Sequence, residues 1–156
     1  MPKLIEYYTD GAFSYKTEMG GWAYVCISDG NVLEEQSGYE PYSTNNRMEL
    51  TAILGVLEQI DNYFPGDYEF IIYTDSAYIE RTFNEGWFRK WMRNGWHTAD
   101  KQSVKNQDLW TRIIALYIKN TAKYKLSICK VAAHKDNKWN NYVDLLAVKA
   151  RKKLEI

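Results

Sequence analysis

The sequence predicts an α/β fold in which a five-stranded mixed sheet is flanked by helices. Short apolar runs, of which residues 68–74 form the most continuous, are typical of strands. Between them lie longer segments with apolar residues at helical spacing, most clearly from Leu50 to Ile60. No linker, repeat array or low-complexity tract divides the chain, and we therefore expect a single domain over residues 1–156.

Three strands are predicted to follow one another at the start of the chain. The first covers residues 4–9, and the glycine pair at 20–21 signals a turn before a second strand at 22–27. The sequence Asp-Gly-Asn at 29–31 is a strong hairpin turn. A third strand then runs from Val32 towards Tyr39, and because it is less apolar we expect it to be more exposed.

The rest of the chain predicts helices separated by two further strands. A first helix begins at Asn45 or Asn46, and Ser76 caps a second helix that ends near Gly86. The apolar strand at 68–74 is expected at the centre of the sheet, with both faces covered. The remaining elements are a short helix at 88–93, a loop at 95–103, a helix at 106–119, a strand at 124–131 and a helix at 137–153.

Charge and hydropathy exclude several classes of protein. The 20 basic and 20 acidic residues cancel, which argues against a nucleic-acid binder that is basic over its whole surface. No stretch is long enough to span a bilayer and no charged-then-apolar leader opens the chain, so we expect a cytoplasmic protein, and a monomer. Cys26 and Cys129 lie in apolar runs and are expected to be buried free thiols.

Basic residues are concentrated in two segments. The first is rich in tryptophan and contains a single acid, Asp100, among Arg89, Lys90, Arg93, Lys101 and Lys105. The second lies near the C-terminus, at 149–153. Charge alone favours a solvated surface for both segments. The tryptophans of the first segment are expected to pack its short helices together rather than to stack on bases.

Four acidic residues stand where a carboxylate makes little structural sense. Asp10 and Asp75 each end an apolar run, in the similar phrases Tyr-Thr-Asp-Gly-Ala and Tyr-Thr-Asp-Ser-Ala. Glu49 lies at the start of the first helix and Asp144 early in the last. Carboxylates among apolar residues are costly unless neutralised, and a converging set favours a hard cation such as Mg²⁺ or Mn²⁺. Parallel neighbouring strands would bring Asp10 and Asp75 side by side.

Each acid also has an ordinary structural explanation. Glu49 has the spacing of a capping box if Asn46 caps the helix, and Asp144 could be a first-turn acid favoured by the helix dipole. Asp10 could belong to a turn, and Asp75 could form part of an N-cap. One shared site explains the four acids more simply than four unrelated structural roles do.

Several phrases of the sequence resemble the type 1 ribonuclease H family, in order and in register. They are Thr-Asn-Asn-Arg-Met-Glu-Leu at 44–50, Thr-Asp-Ser at 74–76, Gly-Trp-His-Thr-Ala-Asp-Lys at 95–101 and Val-Lys-Asn-Gln-Asp-Leu-Trp at 104–110. The resemblance extends from about Lys3 to about Lys152. It implies an RNase H-like fold in which the tryptophan-rich basic segment from Trp87 to Trp110 forms a helical handle. It also implies an endoribonuclease that hydrolyses the RNA strand of RNA/DNA hybrids.

The resemblance also implies the residues and chemistry of the site. Asp10, Glu49, Asp75 and Asp144 would hold two Mg²⁺ ions, with Mn²⁺ as a substitute, and water would attack phosphorus to leave 5′-phosphate and 3′-hydroxyl ends. His134, in the loop after the last strand, would assist proton transfer or product release. Contacts to the hybrid would come from the polar helix tip and the handle, namely Thr44, Asn45, Asn46, Arg89, Lys90, Arg93 and Lys101.

The chain departs from the family pattern at three places. Phe-Ser-Tyr-Lys-Thr-Glu-Met at 13–19 replaces a turn rich in Gly, Asn and Pro. Ala77 stands where many members carry Gln, and two alanines at 132–133 replace a common Lys-Gly.

Two other functions are also compatible with the sequence: a non-catalytic module that binds hybrids, and another nuclease of the same fold. A binder has no need for repelling carboxylates, and the handle and the 44–50 phrase speak against the other nucleases.

Overall fold

The computed structural model of the chain describes residues 1–63, 65–131 and 137–153. Its strands are β1 (Lys3–Phe13), β2 (Met19–Ser28), β3 (Asn31–Pro41), β4 (Tyr68–Thr74) and β5 (Lys125–Lys130). Its helices are α1 (Asn45–Asp61), α2 (Ala77–Asn84), α3 (Trp87–Asn94), α4 (Gln107–Thr121) and α5 (Lys138–Arg151). The predicted order and type of these elements are confirmed. None of the helices in the described parts of the chain is long and apolar enough to cross a membrane.

The five strands form one mixed sheet in the order β3-β2-β1-β4-β5. β1 is the central strand, antiparallel to β2 and parallel to β4. The parallel ladder ends where Tyr8 lies opposite Tyr73, whereas β1 continues along β2 as far as Phe13. A crevice therefore opens beyond the end of β4, beside the last residues of β1. This is the position at which open α/β sheets bind ligands.

Apolar residues are buried on both faces of the sheet. The larger core packs β1 and β4 against α1 and the three following helices, with Tyr7, Phe70 and Trp110 among its fully buried side chains. Burying an apolar side chain such as that of Phe70 contributes about 1.5–3 kcal/mol. A smaller cluster on the other face packs β2 against α5, which also contacts β1 and β3. Alternate residues of β4, such as Tyr73, are only half-buried, so the expectation that both faces of this strand are covered is wrong.

The glycine pair at 20–21 does not form the predicted turn but lies inside β2. A Cβ atom on Gly20 would be 2.6 Å from Met48 Cγ in α1, and one on Gly21 would collide with the carbonyl oxygen of Ala147 in α5. Glycine in a strand often marks a close approach of another backbone or side chain. These two glycines allow α1 and α5 to pack closely on opposite faces of the sheet.

The tryptophans of the basic segment pack between helices, as predicted. Trp91 and Trp110 are buried with ring centroids 5.4 Å apart and ring planes at 70°. Trp87 and Trp96 are half-buried and pack against the same core. Neither cysteine forms a disulfide: Cys26 is buried, as expected, whereas the other, in β5, is only half-buried. The handle is thus held to the body of the protein by aromatic packing.

Candidate functional site

The acids of β1 and β4 lie beside each other in the crevice. Continuing the parallel register from Tyr8 and Tyr73 by two residues places Asp10 opposite Asp75. Asp75 directly follows β4, as predicted. Asp10 lies within β1 and pairs with Ala23 of β2, so the prediction that the strand ends there is wrong, and so is the explanation of Asp10 by a turn.

Glu49 reaches this position because α1 packs against β1 at a glycine. A Cβ atom on Gly11 would be 2.5 Å from the backbone nitrogen of Glu49. Thr44 caps the helix, accepting a hydrogen bond of 3.0 Å from the N–H of Arg47. Glu49 therefore lies beyond the first turn, and its explanation as part of a capping box is wrong. Its side chain is buried, and its Oε2 atom has no hydrogen-bond partner among the described residues.

Four carboxylates line one cleft of about 600 Å³. Asp10, Glu49 and Asp75 each offer a carboxylate oxygen, and these three oxygens lie within 4.8 Å of one another. Asp144 is exposed and comes from the middle of α5, so its explanation as a first-turn acid is also wrong. The residues that line the cleft are Asp10, Gly11, Tyr15, Thr44, Asn45, Asn46, Glu49, Asp75, Ser76 and Asp144.

The carboxylates of the cleft oppose one another's ionisation. Burial, a hydrogen bond with Asp144 and the charge of Asp75 raise the pKa of Asp10 to about 8. Burial and then the charges of Asp10 and Asp75 hold the pKa of Glu49 well above its usual range. Among the described residues that line the cleft, none carries a basic side chain. The cluster is therefore a group of mutually repelling acids with no basic side chain beside them among the described lining residues.

The donor set of the cleft fits a hard divalent cation. Carboxylate oxygens are the ligands that Mg²⁺ and Mn²⁺ prefer. Burying the Glu49 Oε2 atom without a partner is costly for an isolated protein. A cation would give that atom a partner and would also remove the repulsion between the three neighbouring carboxylates. The acids can therefore hold a metal ion.

A groove leads from the acids towards the handle. Asn46, at the edge of the cleft, also lines a depression of about 450 Å³ with Tyr78 and Lys105. Tyr78 in turn lines a neighbouring pocket of about 360 Å³ with Trp87 and Lys90. We call these three connected depressions the acid-to-handle groove. Acidic side chains line one end of the groove, and Lys105 and Lys90 line the rest of it together with Asp100.

The structure divides the predicted substrate contacts between separate surfaces. Thr44, Asn45 and Asn46 line the acid cleft, and Lys90 lines the groove. Arg89 and Arg93 lie on another face of α3, in a depression that also contains Phe88, Met92 and Ile118. Lys101 is exposed in the 95–103 loop, with a φ angle of 64°. His134 falls outside the described residues.

Arg47 joins three elements around the groove, a role that its neighbours in the sequence do not indicate. Its guanidinium donates to Glu40 at 3.2 Å and makes a two-pronged interaction with Asp108, at 3.1 and 2.8 Å. A further hydrogen bond of 3.3 Å reaches Asn106, at the start of α4. Hydrogen bonding to Arg47 holds the pKa of Asp108 below its usual value. These contacts fix the start of α1 relative to β3 and α4.

Sequence comparisons with a family model and with known proteins all indicate the same family. The family model for RNase H matches residues 2–152. The protein named Ribonuclease H from Chlorobaculum parvum is 43% identical over 147 residues, which cover 94% of each chain. The protein of the same name from Chlorobium luteolum is 42% identical over 153 residues, covering 98% of this chain and 99% of that relative.

Solved structures show the same architecture. The solution structure of the PFV RNase H domain has a TM-score of 0.79 and 20% identity, covering 97% of this chain and 96% of that domain. The crystal structure of LC11-RNase H1 in complex with an RNA/DNA hybrid has a TM-score of 0.66 and 22% identity, covering 94% and 98% of the two chains. At these identities the likeness shows the fold alone, and that fold is the RNase H-like fold.

Proposed function

Because the chain belongs to the ribonuclease H family, we propose that it hydrolyses the RNA strand of RNA/DNA hybrids in a single catalytic domain, residues 1–156. The observation that carries the proposal is the convergence of Asp10, Glu49 and Asp75 at one end of a groove with basic side chains. LC11-RNase H1, which shares the fold, was solved with an RNA/DNA hybrid. A site that combines a cation-binding cluster with a phosphate-binding groove suits phosphodiester hydrolysis.

The four acids would hold two Mg²⁺ ions, for which Mn²⁺ can substitute. When bound, the ions would supply charge stabilisation at the phosphate and a water nucleophile near neutral pH. Cleavage of the bond between phosphorus and the 3′-oxygen would then leave 5′-phosphate and 3′-hydroxyl ends. The chain itself holds the four acids in fixed positions. Gly11 keeps β1 against α1, so that Asp10 and Glu49 stay close in spite of their repulsion. Asp75 and Asp144 complete the set from the exposed side of the cleft.

The groove would position the hybrid by contacts with both of its strands. The Thr44 hydroxyl oxygen accepts from the backbone, which leaves its proton free to donate to the substrate beside Asn45 and Asn46. Lys90 and Lys105 would contact phosphates along the groove, and such contacts release counterions. Arg89, Arg93 and Lys101 would meet a hybrid that extends past the groove.

We also propose roles and states that rest on the sequence. His134, ten positions before Asp144, would transfer a proton or assist product release, which suits a group that titrates near neutrality.

The protein would act as a monomer in the cytoplasm. Sedimentation velocity at micromolar concentration, alone and with hybrid, tests the monomer, and a dimer in both samples would contradict it.

Cleavage of one labelled RNA strand tests the proposed activity. The strand is presented alone, paired with RNA and paired with DNA, each with Mg²⁺ and with chelator. We expect cleavage only of the hybrid and only with Mg²⁺. Tight binding of the hybrid without cleavage would indicate a binding module instead. Asp75→Asn serves as the control, since it should retain the fold and lose cleavage.

A further inference from the structure

Arg47 connects the start of α1 with the end of the handle, beside the groove. Asn46 of α1 and Lys105 of the handle both line the depression that adjoins the acid cleft. Arg47 follows Asn46 in the chain, and Asn106 follows Lys105. The Asn106 side-chain oxygen accepts a hydrogen bond of 3.3 Å from Arg47. The two bonded residues are thus each the chain neighbour of a residue that lines the depression.

The contacts of Arg47 form a network rather than a single surface ion pair. Its guanidinium makes four hydrogen bonds, to Glu40 of β3, to Asn106 and, with two prongs, to Asp108 in the first turn of α4. An isolated ion pair at the surface contributes little. A two-pronged pair fixes orientation as well as distance, and the contact with Glu40 ties both helices to the sheet. The network therefore holds its partners in one arrangement.

The start of α4 depends on this network because Asn106 does not cap the helix. Asn106 precedes α4 with a φ angle of 60°, and its side chain makes no capping hydrogen bond. An asparagine at this position usually accepts from an N–H of the first turn, but here its oxygen accepts from Arg47. The start of α1, by contrast, is capped by Thr44, which accepts from the N–H of Arg47. One residue thus joins the capped start of α1 to the uncapped start of α4.

The distance between these two helix starts matters to a hybrid in the groove. The acid cleft and the polar tip of α1 lie on one side of the connection, and the handle lies on the other. A duplex that is held on both sides brings a given phosphate to the acids only if the two sides keep a fixed distance. A groove that is ordered before binding also avoids the cost of ordering it during binding.

We propose that Arg47 is a positioning residue that fixes the distance between the acid cleft and the handle, and so determines which phosphate of a bound hybrid reaches the acids. The inference rests on the proposed function, because it requires a hybrid in the acid-to-handle groove. Arg47 is not among the described residues that line the acid cleft. It acts through its contacts with Asp108 and Asn106.

The test uses Arg47→Lys, which keeps the positive charge but loses the planar fork, and Asp108→Asn, which keeps the size of the side chain but removes its charge. We expect each change to raise KM for the hybrid about five- to tenfold and to alter kcat less, because two contacts at an unfixed distance reinforce each other less. Arg112→Ala is the matched control. Arg112 of α4 pairs with Glu58 of α1 at 3.7 Å, so it joins the same two helices at an exposed place, and its loss should leave KM unchanged.

The positions of cleavage provide a readout that a loss of stability alone would not change. The substrate is a DNA strand with a short internal run of ribonucleotides, paired with DNA, so that few phosphates can be cleaved. The wild type should prefer one position, and both variants should spread their cuts over neighbouring positions. The double variant should lose no more than the more impaired single variant, because the two side chains act as a unit. Mg²⁺ should raise the Tm of the variants as much as that of the wild type, since the acids are intact.

The outcomes separate this inference from the proposed function. Wild-type KM and cleavage positions in both Arg47→Lys and Asp108→Asn would overturn the inference while the proposed function stands. An equal change in Arg112→Ala would overturn it too, because any contact between the two helices would then have the same effect. A smaller gain in Tm with Mg²⁺ would show that Arg47 acts on the acids instead, and would also overturn it. If the wild type cleaves no hybrid, both proposals fail.

Discussion

Replacing Asp10 by Asn should abolish hydrolysis and, in the absence of metal, stabilise the fold. Asn preserves the size of the side chain but removes a carboxylate that is only 4% exposed. Its oxygen lies within 4.8 Å of carboxylate oxygens of Glu49 and Asp75. Burial and neighbouring acids raise the pKa of Asp10 from 3.8 to about 8. The folded protein therefore retains a proton that the unfolded chain releases between these two pH values.

The sign and size of the effect follow from this difference in proton binding. Stability falls as the pH rises from about 4 to about 8, because in this range the native state binds more protons than the unfolded state. Each pH unit costs about 1.4 kcal/mol, so the whole range sets an upper limit of roughly 6 kcal/mol. Burial is the largest cause of this pKa shift and the neighbouring acids contribute the rest, so removing the charge of Asp10 should recover part of this limit, about 2 kcal/mol. At this chain length that raises Tm by about 4–8 °C.

Thermal unfolding followed by circular dichroism in chelator tests the argument. The gain in Tm of Asp10→Asn over wild type should be near zero at pH 4 and largest at pH 8. Asp67→Asn, an exposed acid in the turn before β4, is the control and should show no such trend. Mg²⁺ should raise the Tm of the wild type more than that of the variant. A gain independent of pH, no gain at pH 8, or substantial cleavage by the variant would refute the reasoning.

Three further predictions concern the groove, the packing and the loop. On a short hybrid that spans only the groove, Lys90→Ala should raise KM and reduce the salt dependence of binding by about one unit of slope. Arg89→Ala, on another face of α3, should leave the slope on that short hybrid unchanged, and equal slopes in titrations of the two variants would contradict the assignment. Gly11→Ala should lower the unfolding free energy in urea by about 1–3 kcal/mol and impair cleavage, because the added methyl meets the backbone of α1. His134→Ala should slow turnover ~10²-fold with hybrid affinity preserved; single-turnover rates equal to wild type, or as low as those of Asp75→Asn, would disprove that role.

The elements and the acids could be predicted because their signals are local. Apolar periodicity located the strands and helices, and the parallel pairing of β1 with β4 follows from an α/β order of elements. The glycine pair at 20–21 could not be interpreted in this way. Its place inside β2 is determined by the approach of Met48 and Ala147 from helices far away in the sequence. A glycine pair that forms a turn and a glycine pair that allows close packing cannot be distinguished from the sequence alone.

The basic cluster shows a second limit of sequence reasoning. Arg89 and Lys90 are neighbours in the chain, but successive residues of a helix point about 100° apart. Which of them meets the groove is decided by the burial of Phe88 and Trp91, which sets the rotation of α3. Arg47 is a similar case, because its main partner, Asp108, belongs to a distant helix. Only the packed structure distinguishes these side chains from a uniformly solvated basic surface.

The origin of the four acids in four different elements has a consequence for folding. Asp10 and Asp144 come from near opposite ends of the chain, and the other two come from α1 and the end of β4. Such a cluster has a high contact order, because its three neighbouring acids meet only when β1, β4 and α1 have packed together. A partly folded chain that lacks this packing should hold no cation. In a chevron plot Mg²⁺ should therefore act on the unfolding limb and leave the folding limb nearly unchanged.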